Sequence, residues 1–142
     1  MKLRNAVHDP SKAGNFARER FSSALMSDTK WRKLFAAVTR PEVGMKQMLM
    51  KFIDVEVPRL MKCPPSFECP HAYMDTMEFG PVELRAIEWL EFPRTAKFQR
   101  PHNVPPRMEE QNIDKAAEAI AALGMYPLEL TADAVRITGY RR

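Results

Sequence analysis

Cys63, Cys69 and His71 stand as C-x5-C-x-H, a set of soft donors that invites a metal reading. A structural zinc site asks for four ligands, usually built from C-x2–4-C pairs. Here the spacing is long and no fourth ligand is evident, so the pattern reads as two reduced thiols in a Pro-rich loop. A Cys–His hydrolase needs an exposed thiolate beside an imidazole that a third group orients. His8, His71 and His102 all fall in expected loops or in the N-terminal arm, and nothing in the sequence brings one of them to a thiol. The expectation is no metal, no cofactor and no catalytic residue.

Carboxylates are the next candidates. The stretch from Tyr73 to Phe92 reads as two strands around a Gly80-Pro81 turn, and it carries Glu78, Glu83, Glu88 and Glu91. Strand alternation puts Glu83, Arg85, Ile87, Trp89 and Glu91 on one face and Val82, Leu84, Ala86, Glu88, Leu90 and Phe92 on the other. Glu88 then interrupts an apolar face. A buried carboxylate must be paired or hydrogen-bonded, or its pKa rises. Glu88 is therefore a general acid or base, or else the partner of a basic residue from a helix or a strand-edge group in water. No nucleophile, Gly-rich loop or second carboxylate at a defined spacing supports the catalytic option.

Two tryptophans and a basic loop complete the set. Trp31 lies on a helical stripe and is expected in the core. Trp89 shares its face with charged residues, and a half-exposed Trp is a common anchor at protein interfaces. The segment 93–108 holds Pro93, Pro101, Pro105 and Pro106 among Arg94, Lys97, Arg100, His102 and Arg107. A connection that long without structure of its own is unusual in a small domain and is often functional. Its cations could contact phosphates. Phe98 is its one aromatic residue, however, so stacking on bases is poorly served.

The elements that position these residues follow from periodicity. Residues 1–26 read as an N-terminal helical arm that Ser11 caps. Ser27-Asp28 caps a second helix, with Trp31, Leu34, Phe35 and Val38 at i, i+3, i+4 and i+7. Pro41 stops it. Gln47 to Val57 alternates as a strand and Pro58 ends it. Strands follow at 73–79 and 82–92. Glu109 to Leu123 is the clearest helix, with Ile113, Ala116, Ala117, Ile120 and Leu123 as its stripe and Gly124 as its stop. Residues 126–130 and 135–138 pair as a hairpin across Thr131–Ala134. Together these predict a single α+β domain over residues 1–142, with an antiparallel sheet of about five strands and two or three helices packed on one face.

Composition agrees with one domain. The chain has 142 residues, 45% hydrophobic and 28% charged, with 10 Met, 12 Pro and 2 Cys. No run approaches the ~18 apolar residues of a membrane span. The basic N-terminus lacks the apolar stretch of a secretory signal, so the expected location is the cytoplasm. A formal charge of +4 and a pI near 9.2 make the chain mildly basic. Its 22 basic and 18 acidic residues are interleaved, whereas nucleic-acid binders cluster their cations.

Three segments carry a resemblance. Ser27-Asp28-Thr29-Lys30-Trp31-Arg32-Lys33-Leu34-Phe35 resembles the opening of a small bacterial family, a domain of unknown function. Ile87-Glu88-Trp89-Leu90-Glu91 resembles that family's central strand, and Val135 to Arg141, with Gly139-Tyr140, is similar to its closing strand. The resemblance spans about Ser27 to Arg142. The Cys63–Cys69 loop and the long Pro-rich loop depart from it. It implies an α+β fold and no known catalytic residues. Small domains of this genre are often immunity proteins that neutralise a cognate toxin. Those directed at nucleases are commonly acidic. A basic one implies a toxin with an acidic or mixed surface, or mainly apolar contacts. The resulting expectation is a non-enzymatic inhibitor that binds one cognate protein, with Trp89, Glu91, Arg94, Lys97, Arg100 and His102 as contact residues. The alternative is a small regulatory nucleic-acid binder that uses the basic loop.

Overall fold

In the computed structural model, which describes residues 21, 23–63, 73–76 and 80–142, Ser27 opens the first of the described helices. Its hydroxyl accepts the Lys30 N–H at 3.1 Å, as an N-cap should. The described elements run β1 (Ser23–Ala24), α1 (Asp28–Val38), β2 (Gln47–Phe52), β3 (Arg59–Lys62), β4 (Tyr73–Thr76), β5 (Gly80–Glu83), a 3-10 turn (Leu84–Ala86), β6 (Ile87–Pro93), β7 (Thr95–Phe98), β8 (Arg107–Glu110), α2 (Ile113–Ala121), β9 (Leu128–Leu130), β10 (Ala134–Thr138) and β11 (Tyr140–Arg141). The class is α+β, with two α-helices among the described residues.

A five-stranded antiparallel sheet runs β3-β2-β6-β10-β9. Its register sorts the side chains. Met61 pairs with Met48, Met50 with Leu90, Leu90 with Ile137, and Phe92 with Val135. All of these are buried and join one core with Trp31, Leu34, Phe35 and Val38 of α1 and Ile113, Ala116 and Ile120 of α2. Each large side chain sealed this way contributes roughly 1.5–3 kcal/mol of transfer free energy. The alternate positions form a row across the sheet: Leu60, Leu49, Glu91, Arg136 and Glu129.

Several expected elements are redrawn. The strand from Gln47 ends at Phe52, because the Ile53 N–H leaves the ladder for the Ala86 carbonyl at 2.9 Å. Gly80 and Pro81 are not the turn but the start of β5, opposite Thr76 and Asp75. Val82 to Phe92 is not one strand. The 3-10 turn interrupts it, and Leu84, Ala86 and Ile87 are all fully buried, which no period-2 alternation allows. Tyr140 fixes that turn by donating its hydroxyl to the Arg85 carbonyl at 2.5 Å. Burial, reinforced by the Asp28 carboxylate, pushes the Tyr140 phenol above its ordinary pKa. Ser23–Ala24, expected in a helical arm, is a strand paired with Tyr140 and Arg141. Residues 1–20 and 22 of that arm lie outside the described residues.

At Glu88 the ladder breaks. Lys51 pairs with Trp89 and Phe52 with Ile87, so Glu88 is an extra residue with no partner on β2, a β-bulge. Glu88 offers its carbonyl to the Gly139 N–H at 2.6 Å. A Cβ at Gly139 would drive into the Ile87 carbonyl oxygen and sit 3.1 Å from both the Glu88 carbonyl oxygen and Trp31 Cζ2. The three segments behind the family resemblance thus meet at one junction.

The 93–108 segment is not a structureless loop. Thr95–Phe98 and Arg107–Glu110 pair as a two-stranded ribbon. This also moves the start of α2 from Glu109 to Ile113, capped by Asn112, whose side chain accepts the Lys115 N–H at 3.0 Å. Two buried glutamines, each 6% exposed, attach the ribbon to the sheet. Gln47 donates to the Lys97 carbonyl at 2.7 Å and accepts the Lys97 N–H at 2.9 Å. Gln111 accepts the N–H groups of Lys46 and Gln47 at 2.8 and 3.0 Å. It donates to the carbonyls of Gln47 and Pro93 at 3.1 and 2.8 Å.

Two outcomes follow for stability. Gly139→Ala is expected to cost at least ~2 kcal/mol, because the clash is with backbone that cannot rotate away. Urea unfolding measures it, and an unchanged midpoint refutes the junction. Gln47→Ala is expected to free the ribbon while the sheet stays folded. Amide exchange at Lys97 should then speed up at least ~10-fold, the loss of about 1.4 kcal/mol of local protection.

Candidate functional site

Glu88 is 7% exposed and is fully engaged. Lys51, itself 8% exposed, places its ammonium 3.0 Å from Oε1 and donates also to the Phe52 carbonyl at 2.7 Å. Arg142 reaches Oε2 through Nε and Oε1 through Nη2, both at 3.3 Å. The basic partners come from a neighbouring strand and the last residue, not from a helix. The bulge accounts for this, since it turns the carboxylate toward Lys51 and off the apolar row.

Trp89 and Glu91 are held by Arg136. The guanidinium lies 4.0 Å from the Trp89 ring centroid and its Nε donates to Glu91 Oε2 at 2.8 Å. This cation–π and ion-pair cluster stiffens the half-buried row on the sheet. Arg94 is a strut. Its N–H goes to the Asp133 carbonyl at 2.7 Å, its carbonyl takes the Gln111 N–H at 2.6 Å, and its guanidinium bonds the Ala132 carbonyl at 2.5 Å and Asp114 Oδ2 at 3.2 Å. It ties the ribbon's entry to the β9–β10 turn and to the first turn of α2.

Lys97 and Arg100 do come together, at a cleft of about 1000 Å³ between the ribbon and the ends of β2 and β3. Lys46, Lys62 and Arg107 line it with them. Met45, Leu60, Met61 and Phe98 supply its apolar surface. Among the described residues no carboxylate lines it. Glu109 sits nearby, 2.7 Å from Lys46 and 3.5 Å from Arg107. The Lys46 hydrogen bond holds the Glu109 carboxyl below its ordinary range, so it stays ionised and offsets one cation. Arg107 also lies 4.9 Å from the Phe98 ring centroid. Arg100 closes the ribbon's tip through Nε to the Pro105 carbonyl at 3.0 Å. His102 stands at that exposed tip with φ 58, beside Asn103 with φ 61. Left-handed backbone of this kind is typical of tight turns.

The six expected contact residues therefore occupy three places: the Arg136 cluster, the Arg94 strut, and the cleft with its tip. The sequence reading missed Lys46 and Lys62. Both flank a hairpin in which Gln47 pairs with Lys62, and its second strand, β3, begins just past Pro58, where the sequence marks only a strand's end. Of the sulfur and imidazole candidates, Cys69, His71 and His8 lie outside the described residues. Cys63 is buried and its thiol is pushed up to about 12 by desolvation, so it is no thiolate at neutral pH. Among the described residues no group of three His, Cys, Asp or Glu could hold a metal ion. None of their helices is long and apolar enough to cross a membrane, which says nothing of membrane β-barrels.

Comparison with known proteins gives one match. No curated protein and no solved structure is significantly similar to the chain. Residues 14–142 match the profile of a family of unknown function, DUF6678. With nearly its whole length matched, including the Trp31, Glu88–Trp89 and Gly139–Tyr140 segments that converge on the bulge, the chain belongs to the DUF6678 family.

Proposed function

We propose that the protein is a non-catalytic inhibitor that binds one partner protein, in the manner of an immunity protein that covers a toxin's site. It would act in the cytoplasm. The observation that carries this reading is the clamped ribbon. Lys97, Gln99, Arg100, His102, Asn103, Val104 and Pro105 are all exposed on it, yet Gln47 and Gln111 hold its base to the sheet. A projecting element that is ordered before binding loses little entropy on contact. Arg100 and His102 at the tip reach the partner, and Lys97 and Arg107 back them.

The catalytic alternative for Glu88 loses ground because its carboxylate is consumed by Lys51 and Arg142. The nucleic-acid alternative draws on the same five cations at the cleft. Its weakness is Phe98, the ring that bases would need, over which Arg107 lies.

Capture of the product of the adjacent open reading frame tests the proposal. Wild type should retain it, and Arg100→Glu/His102→Glu should weaken retention at least ~10-fold, as loss of interface contacts worth about 1.4 kcal/mol implies. Equal capture by both forms sinks the proposal. A gel shift that weakens steeply with salt would favour nucleic acid instead. Glu88→Gln leaves Lys51 buried without a counter-charge and is expected to cost roughly 2–3 kcal/mol of stability. Denaturant unfolding checks this, and an unchanged midpoint would show that the pair holds nothing together.

A further inference from the structure

Resting on that binding reading, we infer that the cleft between ribbon and sheet seats an extended acidic segment of the partner, one that alternates carboxylate and apolar side chains. The cleft has two cationic walls. Lys46 precedes β2 and Lys62, which has an interaction of its own, ends β3, while Lys97, Arg100 and Arg107 come from the ribbon. Among the described residues Glu109 is the carboxylate beside it, pairing with Lys46 and Arg107, and it offsets a single charge. Met45, Leu60, Met61 and Phe98 form the apolar share of the lining. An extended strand points successive side chains to opposite faces and repeats each face about every 6.6 Å, so carboxylates on one face can reach the cations while the residues between them cover the apolar lining.

Two features disfavour other anions. A compact phosphate is best held by convergent backbone N–H groups. Three N–H groups at this cleft are already spent: those of Lys46 and Gln47 on Gln111, and that of Lys97 on Gln47. The charge offered there is carried by long side chains, and these suit carboxylates spread along a chain. A nucleic-acid strand would need a free ring for stacking, and Arg107 already lies over Phe98.

Fluorescence anisotropy tests the inference with a labelled eight-residue peptide that alternates Glu and Val. Controls are the matching Lys–Val peptide and an oligothymidylate. The Glu–Val peptide should bind saturably and lose affinity several-fold as salt rises through the range where the Debye length shrinks below about 10 Å. Lys97→Glu/Arg100→Glu should weaken it at least ~10-fold. Lys97→Glu alone should weaken it ~3-fold, which keeps the test valid if the double variant folds poorly. Absence of saturable binding, equal binding by Lys97→Glu, or tighter binding of the Lys–Val peptide or of the oligothymidylate overturns the inference. If the peptide fails while the Arg100→Glu/His102→Glu variant still loses the partner, the cleft inference falls and the inhibitor reading stands.

Discussion

The Gln111 carboxamide sets the relation between everything that could bind and everything that is folded. Its oxygen accepts two backbone N–H groups and its nitrogen donates both protons, to two carbonyls. All four bonding positions of the amide are used. An isolated two-stranded ribbon is marginal in water, and β7–β8 has no ladder to the main sheet. Gln47 and Gln111 replace that ladder with side chains that mimic it. Removing one leaves buried donors and acceptors unpaired, at about 1–3 kcal/mol each. The ribbon thus has sheet-like placement while its outer edge stays open.

A second constraint operates at the opposite end of β6. The bulge at Glu88 brings the closing strand so near that only hydrogen fits on Gly139. The same extra residue turns a carboxylate toward Lys51 and Arg142. A buried ion pair adds little net stability. Breaking it by half is costly, however, so Lys51 and Glu88 favour the bulged register over the unbulged one. Leu90 and Phe92 then face the core in step with Met50 and Val135. The residues that carry the sequence resemblance are legible as packing: Trp31 covers Gly139, Gly139 bonds Glu88, and Tyr140 pins the 3-10 turn.

What the sequence disclosed was what depends on local period. The stripe Trp31, Leu34, Phe35, Val38 and the Ser27 cap become α1, and the hairpin across Thr131–Ala134 becomes β9–β10. What it hid depends on contacts distant along the chain. Leu84-Arg85-Ala86 alternates like a strand. It is a 3-10 turn because Tyr140 and Ile53 hold it from elsewhere. Thr95–Phe98 alternates over only four residues, between Pro93 and Pro101 in a cationic run, and so reads as loop. Its pairing with Arg107–Glu110 rests on Gln47, some fifty positions away. The candidate site was half visible for the same reason. Lys97 and Arg100 belong to a dense cationic run, whereas Lys46 and Lys62 are dispersed until the β2–β3 hairpin brings them across from it.

Charge shows the same separation by folding. Along the chain 22 basic and 18 acidic residues are mixed, which argues against a polyanion stripe. In the structure several acids are drawn into pairs away from the cleft: Glu88 with Lys51 and Arg142, Glu91 with Arg136, Asp114 with Arg94. Those pairs neutralise cations that serve the fold. The cleft is lined by Lys46, Lys97, Arg100 and Arg107, with Glu109 as the neighbouring carboxylate among the described residues. A modest net charge therefore becomes a concentrated local field in a cleft with an apolar lining, where low-dielectric walls focus it. Such a field selects by sign before contact and by shape after it. That division of labour is what a small inhibitor needs if it must find one acidic surface and ignore basic ones.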